Sequence, residues 1–210
     1  NTDTIILHDA FAFKGGGERL IHILCRELEA DLVFGYFNEE TFNLQELPGQ
    51  LINLESESDL PFWRTLKRLH AFYQKTKFLS MYENVIYSGQ NSPLAVSNHT
   101  KGKNIYYCFT PPRSIYDLKE THLAYQPPLI QLVHRLYNAF FQPLYENAIR
   151  KMDVVVADSK NVQNRIQKFL GLESIIIHPP CDINNFSWMG QGDYYLSTAR
   201  LTRYKRVDVI

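Results

Sequence analysis

Short apolar runs alternate with longer segments whose apolar residues recur every three or four positions, and the alternation continues along most of the chain. Runs of strand length cover residues 5–7, 32–36, 85–88, 104–109, 154–157 and 175–177, with a shorter one at 51–54. Between them, Leu20, Ile21, Leu24, Cys25 and Leu28 mark one helix face. A second helix is expected over 62–79, opened by Phe62 and closed by Leu79, with Phe62, Leu66, Leu69 and Tyr73 on one side. A third region spans 128–152 and is expected to break or kink at Pro143. A fourth helix carries Val162, Ile166, Phe169 and Leu170, is capped by Asp158 or Ser159, and stops at Gly171. Strands alternating with helices predict an α/β fold, a parallel sheet flanked by helices.

The first strand and helix are joined by a turn containing Gly15, Gly16 and Gly17, with His8 and Asp9 at the strand's end. A helix start presents free N–H groups and a positive dipole end, and glycine lets a ligand approach without meeting a Cβ. Such a turn suits an anion, phosphate above all, although a tight turn without a ligand has the same composition. The spacing is not the dinucleotide fingerprint, and Asp31 precedes the second strand instead of following it. A nicotinamide or flavin enzyme is therefore disfavoured.

Composition adds bounds. With 210 residues and 45% hydrophobic content the chain can bury a real core. Cys25, Cys108 and Cys181 have no metal or redox spacing, so reduced thiols in a cytoplasm are expected. No apolar run is long enough to cross a membrane, and no signal-peptide pattern opens the chain. Net charge is zero, yet residues 27–59 hold nine acids and no base, whereas 62–81 hold Arg64, Lys67, Arg68, Lys75 and Lys77 and no acid. That basic, aromatic-rich helix reads either as a contact for an anionic membrane surface or as an ordinary surface helix burying its aromatics. No nucleic-acid partner is expected. The alternating acids of Glu55, Glu57 and Asp59 read as a solvated loop.

Two loops stand out. After the fifth run comes CFTPPRSIYD, where Pro111 and Pro112 stiffen the backbone and Arg113 lies beyond a strand's carboxyl end, where ligands gather in open α/β sheets. After the last run comes HPPCDINNF at 178–186, whose prolines suggest a rigid connector, placed over 181–193, and then a fresh strand over 194–198. The expected organisation is a domain over 1–180, this connector, and the opening of a second domain over 194–210 that continues past Ile210.

Three pieces, the KGGGERL turn, VVVADSKNVQNRI with IIIHPPCDINNF, and YYLSTARLTRYKRVDVI, together resemble the family 4 glycosyltransferases. YYCFTPPR is most similar to mannosyltransferase-type members that build lipopolysaccharide and exopolysaccharide. The resemblance implies a GT-B architecture of two Rossmann-like domains and retaining hexosyl transfer from a nucleotide-diphosphate sugar to a saccharide or lipid-linked saccharide. It implies that no metal or other cofactor is needed; the thiols and the basic 62–79 helix point to a cytoplasmic enzyme, either free or peripheral on the inner membrane face. Arg200 and Lys205 would neutralise the donor diphosphate, with Gly15, Gly16 and Gly17 offering backbone N–H groups from the other wall. Thr110 and Arg113 would meet the acceptor. Phe109 stands where relatives usually carry histidine and cannot titrate, which moves the expected catalytic role to His8, Asp9 or Arg113. An epimerase or phosphorylase of the same architecture, and a sugar-binding or scaffold domain without turnover, remain open.

Overall fold

The computed structural model describes residues 2–124, 126–181, 183, 186–198, 201 and 207–209. Seven strands form one all-parallel sheet: β1 (Thr4–His8), β2 (Asp31–Phe34), β3 (Leu51–Asn53), β4 (Asn84–Ser88), β5 (Lys103–Cys108), β6 (Val154–Ala157) and β7 (Ile175–Ile176). Their spatial order is β3-β2-β1-β4-β5-β6-β7, so the direction of winding reverses between β1 and β4. This is a Rossmann-like sheet, and the reversal falls at the carboxyl ends of those two strands, the place where open α/β sheets bind their ligands. The register places Leu7 beside Val33 on one side and beside Tyr87 on the other.

Side-chain alternation along each strand sends the core to both faces. Ile5, Leu7, Val85, Tyr87, Tyr106 and Val155 point to one face, where α2 (Pro61–Gln74), α4 (Pro128–Ile149) and α5 (Lys160–Leu170) cover them. Ile6, Leu32, Ile86, Tyr107 and Val156 point to the other, against Leu20, Ile21 and Cys25 of α1 (Gly16–Glu27). Strands buried on both faces are why these segments read as continuous apolar runs. A short α3 (Lys119–Leu123) and a 3₁₀ segment, Ser92–Asn98, complete the body.

Several elements differ from expectation. The helix expected over 62–79 ends at Gln74 and resumes as a 3₁₀ segment, Lys77–Met81. Buried Thr76 closes it, its hydroxyl donating to the Phe72 carbonyl at 2.7 Å while accepting from Asn98 at 2.9 Å. Pro143 does not break α4, which is helical from Pro128 to Ile149. The Ala139 carbonyl that Pro143 cannot serve lies at an exposed position, where water can satisfy it. Leu28 is not on the buried face of α1; it is the C-cap residue and is 47% exposed. Gly171 does end α5, in the left-handed conformation at φ 66°.

The chain divides into two compact units, Asn1–Pro179 and Pro180–Ile210. In the second, the strand expected over 194–198 is absent and the backbone there is irregular, because no neighbouring strand among the described residues supplies a ladder. Arg200 and Lys205 lie outside the described residues, as does the side chain of Phe62.

Candidate functional site

The site is built at the end of β1. Asp9 follows its last residue, and its carboxylate accepts from the backbone N–H groups of Gln90 (2.8 Å), Asn91 (2.9 Å) and Ser92 (2.8 Å). The Asn91 side-chain amide adds a fourth donor at 3.0 Å. One carboxylate thus clasps the whole loop that leaves β4, as a capping aspartate does at a helix start. The clasp is tight: Gly89 sits at φ 109°, and a Cβ there would lie 2.5 to 2.8 Å from the Asp9 carboxyl atoms. Below, the Tyr106 hydroxyl donates to the Gly89 carbonyl at 3.0 Å, and the Ser92 hydroxyl donates to the Ser88 carbonyl at 2.7 Å. Asp9, expected as a catalytic candidate, therefore has its acceptor capacity engaged in holding this loop.

His8, the other candidate at this strand end, is buried, with Nδ1 3.1 Å from the Ser88 hydroxyl. Burial pulls its pKa down to about 4, against the opposing pull of the Asp9 charge. At neutral pH it is an uncharged imidazole, able to donate one hydrogen bond and accept one. The rings of Phe11 and Phe109 lie edge-on to it, with centroids 5.2 and 6.3 Å away.

Phe109 connects this corner to the glycine turn. A Cβ added to Gly17 would fall 2.9 Å from the Phe109 ring, so the third glycine is required by the phenyl group packed against it. Gly16 has nothing within 4 Å of its Cβ position and faces open space. A Cβ on Gly15 would collide with the Phe13 ring and with the carboxylate of Glu18. Glu18, three residues after the N-cap and buried, brings a negative charge of the protein's own to the positive end of α1. An incoming anion shares that dipole with Glu18 and has open backbone only at Gly16.

Beyond β5, Thr110 and Arg113 join a cluster that sequence reasoning saw only in part. Arg165 of α5 grips Asp117 with both terminal nitrogens, at 2.7 and 2.9 Å, and donates from Nε to the Thr110 hydroxyl at 3.1 Å. Arg113 donates to the same carboxylate at 3.0 and 3.2 Å. Hydrogen bonding from Arg165, then from Arg113, holds the Asp117 carboxyl well below the usual carboxylate range. Two guanidiniums on one carboxylate leave a net positive charge, and the Arg113 side chain stays 45% exposed. Arg113 thus pairs with Asp117, not with His8 or Asp9; the Phe109–Thr110 peptide links the two groups. Arg165 was missed because its partner lies 48 positions away.

Two grooves lie elsewhere. One of about 610 Å³ sits at the amino ends of the strands, around Glu29, Asp31 and Tyr82, and one of about 280 Å³ lies between Leu54 and α2. In the first, Asp31 is engaged by the Gln50 N–H at 2.7 Å and the Tyr82 hydroxyl at 2.6 Å, which braces strand starts. Among the described residues, no group of three or more His, Cys, Asp or Glu is placed to hold a metal ion.

No family model matches the chain, and no curated protein matches it. The fold itself defines an α/β protein of the Rossmann-like class, with its chemistry-bearing residues gathered at the winding reversal and at the end of the next strand.

Proposed function

We propose that the chain is the acceptor-side part of a retaining, metal-independent glycosyltransferase of the family 4 kind. It would transfer a hexose, mannose in the finer reading, from a nucleotide-diphosphate sugar to a saccharide or lipid-linked saccharide. The observation that carries this reading is the winding reversal between β1 and β4, with neutral His8, the open backbone at Gly16 and the Thr110–Arg113 loop at the carboxyl ends of adjoining strands.

In this reading the anomeric carbon's bond to the departing diphosphate oxygen breaks with both electrons going to the diphosphate. An acceptor hydroxyl bonds to that carbon on the same face, and its proton passes to the leaving group. Gly16 N–H, with Arg200 and Lys205, would offset the charge that develops on the diphosphate. His8 would orient the sugar by hydrogen bonding and not by charge, and Asp9 would act as a positioning residue through its loop. Arg113 and Thr110 would receive the acceptor's polar groups. The protein would work in the cytoplasm, on the inner membrane face.

The test is a thermal-shift screen against UDP, GDP and ADP sugars without added metal. A ligand at a hundred times its Kd stabilises by about 2.7 kcal/mol. A shift with one nucleotide that vanishes in Arg200→Ala and Lys205→Ala is the expected result; no shift with any of them overturns the reading. Phe109, wedged between His8 and Gly17, favours one rival, a sugar-binding domain without turnover. That rival predicts saccharide binding with no transfer.

A further inference from the structure

The outward face of α4 has the composition of an inward one. Asn138, Phe141, Tyr145, Ala148 and Ile149 face the core. On the opposite side Leu129, Leu132, Leu136 and Phe140 are 54 to 71% exposed, and Val133 and Leu144 continue the stripe. A helix that is apolar all round is ordinarily buried all round, and a contiguous exposed apolar patch marks an interaction site.

Charge on this side of the sheet identifies the partner. Residues 121–145 contain no acid and include His134 and Arg135. Residues 60–82, which hold α2, contain no acid and five cations, and α5 adds Lys160 and Lys168 with no acid. Both α2 and α4 pack on the Ser92–Asn98 segment, over the same face of the sheet. A chain of zero net charge has thus set the acid-free, cationic helices α2 and α5 on the same face as this apolar stripe; the acids nearest it in sequence are Glu120 of α3 and Glu146 near the end of α4, and Lys67 and Lys75 donate to the Glu57 and Leu54 carbonyls. Among the described residues no helix is long and apolar enough to cross a membrane.

We propose that α4 docks the protein on an anionic lipid surface, its apolar stripe lying in the plane of the headgroup–acyl boundary while Arg135 and the cations of α2 face the headgroup phosphates. This inference stands without the transferase reading. It moves the membrane contact expected on 62–79 to a different helix, with α2 as an electrostatic flank.

The experiment is co-sedimentation of the chain with vesicles of phosphatidylcholine, alone or mixed with phosphatidylglycerol. The wild type is expected to partition onto the mixed vesicles. A Leu132→Ser/Leu136→Ser/Phe140→Ser variant should lose about tenfold or more of that partitioning at every salt concentration. Arg64→Gln/Lys67→Gln should weaken only the preference for phosphatidylglycerol, and less so in high salt. Because the substituted α4 positions are exposed, circular dichroism should be unchanged; if the triple variant fails to fold, Leu136→Ser alone is measured and should show a partial loss. Equal partitioning of wild type and α4 variants, or no binding by the wild type, overturns the proposal. So does a wild-type dimer that the triple variant converts to monomer, which would make the stripe a contact between copies.

Discussion

Replacing Asp9 by alanine removes the acceptor for three backbone N–H groups and one side-chain amide at a stroke. A hydrogen bond to a charged group contributes roughly 1.5–3 kcal/mol, but four bonds on one carboxylate are not additive. Gln90 is exposed enough for water to replace its share, so the expected loss is about 3–5 kcal/mol. Asp9→Asn keeps one oxygen but turns an NH₂ toward backbone donors, and about half that loss is expected. Urea unfolding would measure both, with the midpoint falling and the slope unchanged. Hydrogen exchange should locate the damage at the amides of residues 90–92, accelerated in Asp9→Ala while those of β6 and α5 keep their relative order of protection. If Asp9→Ala lies within about 1 kcal/mol of the wild type, the clasp is not what Asp9 is for and its role as a reacting group returns.

Five other substitutions test the site. Glu18→Gln removes the resident charge at the start of α1 and should tighten pyrophosphate binding about two- to fivefold, read by calorimetry; weaker binding would show that Glu18 helps to build the anion site. His8 in the folded protein refuses the proton that the unfolded chain accepts near pH 6.5, so its contribution is full above 6.5 and is lost as pH falls toward about 4, a destabilisation of about 3 kcal/mol. His8→Phe should flatten that part of the pH dependence of unfolding, and an unchanged profile would refute burial as the cause. Asp117 titrates below its unfolded value, so its stabilisation is present at neutral pH and is lost as pH drops below about 4. Tm measured between neutral and acid pH should lose this acid limb in Asp117→Asn, while Arg165→Ala should cost more stability than Arg113→Ala because the Arg165 side chain is 17% exposed against 45%.

The runs at 5–7, 85–88 and 154–157 announced buried strands because both of their faces are covered, which removes polar residues from the run itself. Local signals also placed Ser159 and Gly171 at the ends of α5, since a cap and a left-handed stop are chemistry of a few neighbouring residues. Long-range pairing was not legible. Nothing near Asp9 reveals that its partners sit 81 to 83 positions on, or that Arg165 answers Asp117. The outward stripe of α4 escaped for another reason: where apolar residues occupy both sides of a helix, periodicity cannot say which side faces the core. Gly17 was read as an approach for phosphate, and its neighbour in the fold is a phenyl ring.

The pairing of β1 with β4 also bears on how the protein comes to be made. β1 lies mid-sheet, yet one of its two neighbours is supplied about eighty residues later, with 3₁₀ and helical segments and two other strands in between. Loop-closure entropy on that scale must be overcome before the contact contributes, so assembly of the site is a late, slow event. On a ribosome the first strand emerges with its inner edge unpaired and stays so until Ser92 is outside the exit tunnel. Ile5, Ile6 and Leu7, fully buried in the finished protein, therefore stay open until β4 arrives, and slowing translation just before β4 should raise the aggregated fraction.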